Sequence, residues 1–351
     1  MKRNHMVDIL KGICIICVII THFEWQSSVR LIPIFPFLID MAVPVFMIIS
    51  GYVYAISYEK HGIASIGQAY QIDYVIDKLL RYTIPFIIIY VLELITFYRL
   101  DVIYSKREII WNFFTGGFGY GSYYYPIMIQ FIFVFPIVFF LIKRLDFFGL
   151  ILSGFLNALY ELLQWSYYVS SAHYRLLLFR YLLLIAFGCY MYLKKGKIRK
   201  PIGIVSALIG IFFIWIYIYR DYTPHIVIYW TGTSFLAALY IMPVIGLLLC
   251  STKISTIKCQ PIELLGKASY HIFLSQMFYY QFVMYPLQVR FADASAISLL
   301  FISIVACISS GILFYGIETR ITKCIMKGVQ AMDIKHLCQR IINYVNSYAV
   351  R

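Results

Sequence analysis

Ten long apolar runs, separated by short polar segments, dominate the pattern of hydrophobic and polar positions along the chain. Most of them reach the roughly 17 residues that an α-helix needs to cross the hydrocarbon core of a bilayer. Because backbone polar groups inside a bilayer must be satisfied within the segment, these runs are predicted to be helices. The predicted spans cover residues 7–23, 36–57, 81–98, 123–142, 147–167, 176–193, 202–219, 229–250, 268–286 and 294–317.

The composition supports a membrane protein. Of the 351 residues, 62% are hydrophobic and 13% are charged, whereas soluble domains have about 45–50% apolar and about 25% charged residues. The sequence therefore predicts an all-α integral membrane protein, with a ten-helix unit over residues 1–319. A tail over residues 320–351 places apolar residues and lysines at helical spacing, which predicts a cytoplasmic amphipathic helix at the membrane surface.

Lysine and arginine are distributed unevenly between alternate loops. If the N-terminus is cytoplasmic, the inside segments hold most of them, including the run from Lys194 to Lys200. The outside loops then hold only Arg30, Arg99, Lys106, Arg107, Arg175, Arg220 and Arg290. This bias predicts that both termini are cytoplasmic. It also accounts for the formal net charge of +14 as a topology signal, which argues against a nucleic-acid partner.

The first predicted span contains two ionisable residues, Lys11 and His22. Eleven residues at 100° each turn the helix about 20° past three full turns, so both side chains lie on one face, about 16.5 Å apart along the axis. A lone histidine at the end of a span is more often structural. An ionisable residue inside a membrane costs free energy, so two of them on one face need a reason to be there. The alignment of Lys11 with His22 therefore favours a functional pair.

Lys11 and His22 also begin a series of short motifs. The first, Asp8-Ile-Leu-Lys11-Gly12 followed by His22, resembles the start of the acyltransferase family 3 membrane proteins, which show an arginine, ten residues and a histidine in helix one. The later motifs that resemble this family are Val45–Tyr52, Lys78-Leu-Leu-Arg81 with Pro85, Tyr123–Pro136, Leu265–Tyr270 and Glu318. Their order matches the predicted helices, and the resemblance covers about residues 8–320.

Three features depart from the family pattern. Lys11 replaces the arginine and lacks its two-pronged grip on phosphate, although lysine still binds phosphate as a point charge. Gln276 lies in helix nine where many relatives have histidine. No esterase-like soluble domain follows helix ten, so we expect the membrane unit, alone or with a partner, to complete any transfer.

The resemblance implies transfer of an acyl group, usually acetyl from acetyl-CoA, to a sugar hydroxyl of a cell-surface glycan. Lys11, Lys78 and Arg81 are expected on the cytoplasmic side, where they could hold the phosphates of CoA; ordinary positive-inside charge is the alternative for Lys78 and Arg81. His22 would act as general base or as transient acyl carrier, and the sequence leaves both routes open. Acyl-CoA is expected as a substrate and not as a tightly bound cofactor.

The same reading implies a multi-pass protein of a bacterial inner or plasma membrane. Expected partners are a glycan or lipid-linked oligosaccharide acceptor, membrane lipids and other proteins of envelope-glycan synthesis. Neither zinc-ligand spacing nor the motifs His-Glu-x-x-His and Gly-x-Ser-x-Gly occur, so no metal and no serine-hydrolase triad is predicted.

Four further residues are candidates for binding substrate, namely Tyr125, Gln130, Glu161 and Arg180. Glu161 and Arg180 are predicted in the outer halves of neighbouring helices, so they form either a structural ion pair or part of an acceptor pocket. The glycine-rich loop from Thr115 to Ser122 lacks the Gly-Lys-Ser/Thr element of a phosphate cradle. Its aromatic residues suit a lid over a sugar, a re-entrant packing or a simple flexible loop.

Two other functions remain open at this point. A glycan or small-molecule transporter without acyl transfer would also place charges inside a helical bundle. However, the sequence shows neither an internal repeat nor paired broken helices, which are the usual signs of alternating access. An inert assembly subunit of a glycan machine would leave Lys11 and His22 without a role. The sequence thus favours the acyltransferase.

Overall fold

The fold was analysed in a computed structural model, which describes residues 4–25, 27–167, 170–196, 200–220, 234–251, 256–291 and 295–331. All regular secondary structure in these ranges is helical. Asn4 caps the first helix, because its side chain accepts a hydrogen bond from the Met6 amide. The described α-helices of ten or more residues are α1 (His5–His22), α2 (Ala42–Lys60), α3 (Ile72–Arg99), α4 (Lys106–Thr115), α5 (Tyr124–Leu145), α6 (Phe147–Ser166), α7 (Leu182–Leu193), α8 (Lys200–Ile214), α9 (Ile241–Cys250), α10 (Gln260–Tyr279) and α11 (Ala296–Ala331).

Seven segments of the described chain are long and apolar enough to cross a bilayer, which makes this a multi-pass membrane protein. They are His5–His22, Phe35–Lys60, Ile72–Arg99, Tyr124–Leu145, Phe147–Ser166, Lys200–Tyr219 and Ala296–Cys324. Two shorter apolar segments, Leu178–Leu193 and Ile241–Cys250, occupy two more predicted spans. The remaining predicted span, 268–286, lies in α10, in the π-helical turn Tyr280–Met284 that continues it and in the start of the short helix Tyr285–Arg290.

The ends of several helices differ from the ends of the predicted spans. The third helix begins at Ile72 and not at residue 81. Its first turns are helical, but their polar residues lie outside the apolar run from which the span was predicted. The span 176–193 is not one α-helix: a 3₁₀ turn, Leu178–Tyr181, precedes α7. In the span 229–250 the described part is broken between Phe235–Ala238 and α9, and residues 229–233 lie outside the described residues. The final helix, α11, runs through the predicted boundary at residue 320, and residues 332–351 of the predicted tail are not described.

Helices α1 and α10 cross at a pair of glycines. A Cβ atom on Gly266 would lie 1.9 Å from the backbone oxygen of Asp8, and one on Gly12 would lie 2.3 Å from the backbone oxygen of Ile262. Small residues at such crossings let two membrane helices approach closely. The contact therefore needs glycine on both helices, and it sets the spacing between the N-terminal parts of α1 and α10.

Helices α2 and α7 repeat this arrangement. A Cβ on Gly51 would lie 2.1 Å from the backbone oxygen of Ile185, and one on Gly188 would lie 1.9 Å from that of Ile48. Helix α1 also packs against α2, and α10 against α11. These contacts make α1, α2, α7 and α10 the centre of the bundle. Helix α8 lies at its periphery, since only 17% of the apolar stretch that contains it is buried inside the protein.

Candidate active site

His22 is the last residue of α1, where the chain turns away from the helix. Phe23 is extended (φ −68°, ψ 142°) and buried, and its ring packs on Trp25 with centroids 5.0 Å apart. The Trp25 indole donates a hydrogen bond to the Ile20 carbonyl (2.8 Å), which also accepts one from the Phe23 amide (3.3 Å) at the helix end. Phe23 and Trp25 therefore pack at the end of α1 that carries the imidazole.

Helix α10 supplies the groups behind the His22 ring. The side-chain amide of Gln276 lies 2.5 Å from His22 Nδ1, and Gln276 is completely buried. The Tyr280 ring meets the imidazole edge-on, with centroids 6.4 Å apart, and the Tyr280 hydroxyl donates to the Ile19 carbonyl (2.8 Å). Tyr280 begins a π-helical turn, a feature common at functional sites. These contacts leave Nε2 as the ring nitrogen without a hydrogen-bond partner among the described residues.

The glycine-rich loop packs onto His22 from the other side. The Tyr120 ring stacks on the imidazole, with centroids 6.1 Å apart and planes inclined by 29°. Gly121 has a left-handed backbone (φ +85°), and a Cβ there would lie 3.2 Å from His22 Cε1. A Cβ on Gly119 would lie 2.9 Å from Met277 of α10. The loop therefore packs against His22 and α10.

A buried carboxyl group helps to hold this loop. Glu93 of α3 is 1% exposed, and its Oε2 accepts a hydrogen bond from the Phe118 amide (3.3 Å). Gly117, also left-handed, approaches so closely that a Cβ would lie 3.0 Å from the same oxygen. An acidic side chain inside a membrane helix is expensive, so its position beneath the loop indicates a specific role there.

A single cavity of about 240 Å³ connects Lys11 with His22. Because these residues are about 16.5 Å apart along α1, the cavity is elongated along that helix. Asp8, Ser50, Tyr82 and Lys267 also line the cavity, as do Thr21, Asp40, Tyr123, Tyr124, Tyr270 and Phe273. The predicted common face of Lys11 and His22 is thus the wall of one cavity.

Lys78 and Arg81 are outside the residues that line this cavity. The Lys78 ammonium lies 3.4 Å from Ser57 Oγ and 5.0 Å from the centre of the Tyr54 ring. Arg81 is exposed and forms an ion pair with Asp77 one turn earlier (3.0 Å). Both belong to the polar first half of α3.

Tyr125 and Gln130 have partners in the wall of the bundle and do not line the cavity. The Tyr125 ring stacks on Phe86 with centroids 3.8 Å apart, and its hydroxyl is 3.2 Å from that of Thr83. The Gln130 amide donates to the Leu176 carbonyl (2.6 Å) and accepts from the Leu178 amide (3.0 Å). Gln130 thereby ties α5 to the segment that leads into α7.

Glu161 and Arg180 lie together in a buried tyrosine cluster that does not line the cavity either. Tyr174 donates to Glu161 Oε1 (2.6 Å), and the Arg180 guanidinium lies over the Tyr174 ring, 4.7 Å from its centre. The guanidinium is also 6.0 Å from the centre of the Tyr123 ring, and Tyr123 lines the cavity. The cluster therefore supports the cavity wall from behind.

Two residues at the His22 end were not among the predicted site residues. Asp40, which precedes α2, lines the cavity; an ionisable residue at the start of a span was the available signal. Gln276 was noted only as a departure from the family pattern. Its contact with His22 joins residues 254 positions apart, which hydropathy and helical periodicity within one span do not reveal.

Comparison with known proteins gave one match. A family model described as an acyltransferase domain matches residues 4–316, nearly the whole chain. No curated protein and no solved structure matched significantly. The matched region includes all the residues that line the cavity.

Proposed function

The chain belongs to acyltransferase family 3, and from this premise we propose that it is a membrane O-acyltransferase. It moves an acyl group, acetyl in the simplest case, from acyl-CoA to a hydroxyl of a cell-envelope polysaccharide or lipid-linked glycan. The proposal includes ten membrane crossings with both termini in the cytoplasm of a bacterial cell, so that the Lys11 end of the cavity faces the donor.

The observation that carries the proposal is the continuity of the cavity between Lys11 and His22. Acyl-CoA is anionic at its nucleotide end and reactive at its thioester, with the pantetheine arm between them. A cation and an imidazole about 16.5 Å apart on one wall suit such a molecule. Lys11 and Lys267 offer positive charge at one end, and His22 offers a base or nucleophile at the other.

The chemical step needs little more than these groups. As general base, His22 accepts the proton of the acceptor hydroxyl while the hydroxyl oxygen attacks the thioester carbonyl. The carbon–sulfur bond breaks, and the CoA sulfur leaves and takes the proton from the imidazolium. As acyl carrier, the neutral imidazole would instead attack the carbonyl first, which breaks the carbon–sulfur bond and releases CoA as its thiolate. The acceptor oxygen would then attack the acyl group on the imidazole, the carbon–nitrogen bond would break, and the hydroxyl proton would pass to the CoA sulfur.

The His22 end of the cavity suits a sugar. Asp40 and Thr21 provide oxygen atoms that can accept hydrogen bonds from sugar hydroxyls, and Tyr123 and Tyr124 provide aromatic surface. We place the acceptor at this end, on the extracytoplasmic side. Lys78 and Arg81 lie outside the cavity, and in this proposal they attract the nucleotide part of the donor towards its entrance.

The test uses purified protein in lipid nanodiscs with acetyl-CoA labelled on the acetyl group. We expect wild type to bind acetyl-CoA and to release free CoA, and His22→Ala to abolish the release while binding persists. His61→Ala is the matched control: His61 is exposed, lies within hydrogen-bond distance of the Ser57 carbonyl (2.7 Å) and does not line the cavity. Wild-type CoA release by His22→Ala would refute the role of His22, and folded wild type without acetyl-CoA binding would refute the donor.

A further inference from the structure

We propose that Gln276 is a positioning residue, which holds a proton on His22 Nδ1 and thereby leaves Nε2 as the nitrogen that reacts. This inference rests on the proposed role of His22 and extends it to a named atom. It concerns one contact, in which Gln276 Nε2 lies 2.5 Å from Nδ1, and it turns the amide by a half-turn so that Oε1 takes that place.

The contact is enclosed. Gln276 is completely buried, and the ring beside it is bounded by Tyr120, Tyr280 and Gly121. Gln276 Oε1 is buried without a hydrogen-bond partner in the described part of the chain. Because the two ends of a glutamine amide have nearly the same shape, a half-turn of the amide exchanges Nε2 and Oε1 with little change in packing.

The two orientations have opposite consequences for the ring. If the amide nitrogen faces Nδ1, the neutral ring accepts at Nδ1 and carries its proton on Nε2, where it cannot act as a base. If Oε1 faces Nδ1, the ring donates there, and Nε2 has a free lone pair. His22 lines the cavity and Nδ1 is occupied by Gln276, so Nε2 is the nitrogen available to a substrate.

The protonated ring that forms during transfer allows only one of these orientations. Both nitrogens of an imidazolium are donors, so the amide must present Oε1 to Nδ1. A residue that presents Oε1 from the start needs no rearrangement in the reaction, which is how preorganised groups lower a barrier. The charged and titratable groups around His22 are Asp40 in the cavity, Arg30 and Arg175 nearby, and the two tyrosines that contact the ring. None of these contacts Nδ1 in the described structure.

The kinetic test compares three variants in nanodiscs by CoA release across a pH series. Gln276→Leu keeps much of the volume but removes the hydrogen bond, and we expect kcat to fall about 10- to 100-fold with an unchanged KM for acetyl-CoA, part of what a positioned base contributes. Gln276→Glu restores the acceptor, so kcat should recover at high pH. Its carboxylate favours the protonated ring, which should move the acidic limb of the pH profile upwards. Gln281→Leu, on the next turn, is the matched control and should behave as wild type.

The structural test does not depend on activity. Histidine labelled with ¹⁵N in the ring reports by solid-state NMR which nitrogen carries the proton, and the difference from His22→Ala identifies the His22 signal. We expect the neutral ring to carry its proton on Nδ1 in wild type and to lose that preference in Gln276→Leu. A proton on Nε2 in wild type, or an unchanged kcat in folded Gln276→Leu, would overturn the inference. Failure of the proposed function is distinct: His22→Ala would then turn over normally, while the NMR result would still decide which nitrogen Gln276 sets.

Discussion

Two cavities in the described part of the protein differ in size and in chemistry. The cavity between Lys11 and His22 has a volume of about 240 Å³ and contains charged, hydroxyl and imidazole groups. The second has a volume of about 890 Å³ and lies between α6, α7, α8 and α9. Apart from Asp146, Ser206 and Tyr190, its lining is apolar, and the Asp146 carboxylate is paired with Lys194 (2.7 Å). The larger cavity is therefore the less reactive one.

The comparison shows why volume is a poor guide to function inside a membrane. Apolar side chains at the edge of a bundle can face the hydrocarbon of the bilayer at little cost in free energy. A gap between such side chains therefore does not need a bound ligand to explain it. Lys11 and His22 are different, because an ionisable group within a span is expensive to keep there. The position of these groups, rather than the available space, identifies the site.

The largest expected effect is on the wall of the smaller cavity. Gly266→Ala puts a methyl group where the Asp8 carbonyl lies 1.9 Å away, so α1 and α10 must separate. We expect destabilisation of about 3 kcal/mol or more, the upper part of the range for overpacking, together with loss of activity. Gly154→Ala, in the wall of the larger cavity, meets only Leu183 at 3.5 Å. It should stay within about 1 kcal/mol of wild type.

Thermal unfolding in nanodiscs, followed by tryptophan fluorescence, measures both variants. Equal midpoints for Gly266→Ala and wild type would show that the close crossing of α1 and α10 is not required. A large loss for Gly154→Ala would show that the larger cavity is packed more tightly than its lining indicates.

The next effect concerns the charge inside the smaller cavity. Lys11→Ala removes a cation proposed to hold the anionic end of acyl-CoA, and a hydrogen bond to a charged group is worth about 1.5–3 kcal/mol. We therefore expect the KM for acetyl-CoA to rise about 10- to 100-fold. Lys11→Arg should remain active, since it keeps the charge and adds a guanidinium that suits phosphate.

Two controls sharpen this result. Lys60→Ala removes an exposed lysine at the end of α2 and should leave the KM unchanged. Val205→Phe narrows the larger cavity and should also leave it unchanged. A raised KM in Val205→Phe with a normal KM in Lys11→Ala would place the donor in the larger cavity and reverse the comparison.

The sequence predicts the parts of this site that lie within one helix. A spacing of eleven residues is enough to place Lys11 and His22 on one face, because helical periodicity is a local property. Contacts between helices are not local. Nothing in the hydropathy of α10 and α6 distinguishes Gly266 of α10, which touches α1, from Gly154 of α6, which has space beside it. The contact of Gln276 with His22 likewise depends on how two distant helices cross.

Helix ends were predicted less well for a related reason. Hydropathy measures how much of a segment is apolar, whereas a helix continues as long as its backbone hydrogen bonds do. Helix α3 therefore begins nine residues before the predicted span at residue 81, within a polar stretch that contains Asp73 and Asp77. The apolar run at 176–193 includes a 3₁₀ turn at Leu178–Tyr181, although its composition alone is that of a continuous helix.

The smallest expected effect concerns the glycine-rich loop, which packs on His22 in the wall of the smaller cavity. Gly121→Ala introduces strain at φ +85° and also places a methyl group 3.2 Å from His22 Cε1 and 3.1 Å from the Phe273 ring. Gly62→Ala introduces the same kind of strain at φ +64°, but no atom lies within 4 Å of its Cβ. A left-handed backbone costs alanine about 1–2 kcal/mol in either place, so both variants should lose similar stability.

Only Gly121→Ala should also lower kcat, by about tenfold. Its methyl group displaces the imidazole, and the reaction rate falls steeply when a catalytic group is displaced. Comparison of unfolding midpoints with CoA release separates the two effects. Equal kcat values in the two variants would mean that the loop merely covers His22 without positioning it.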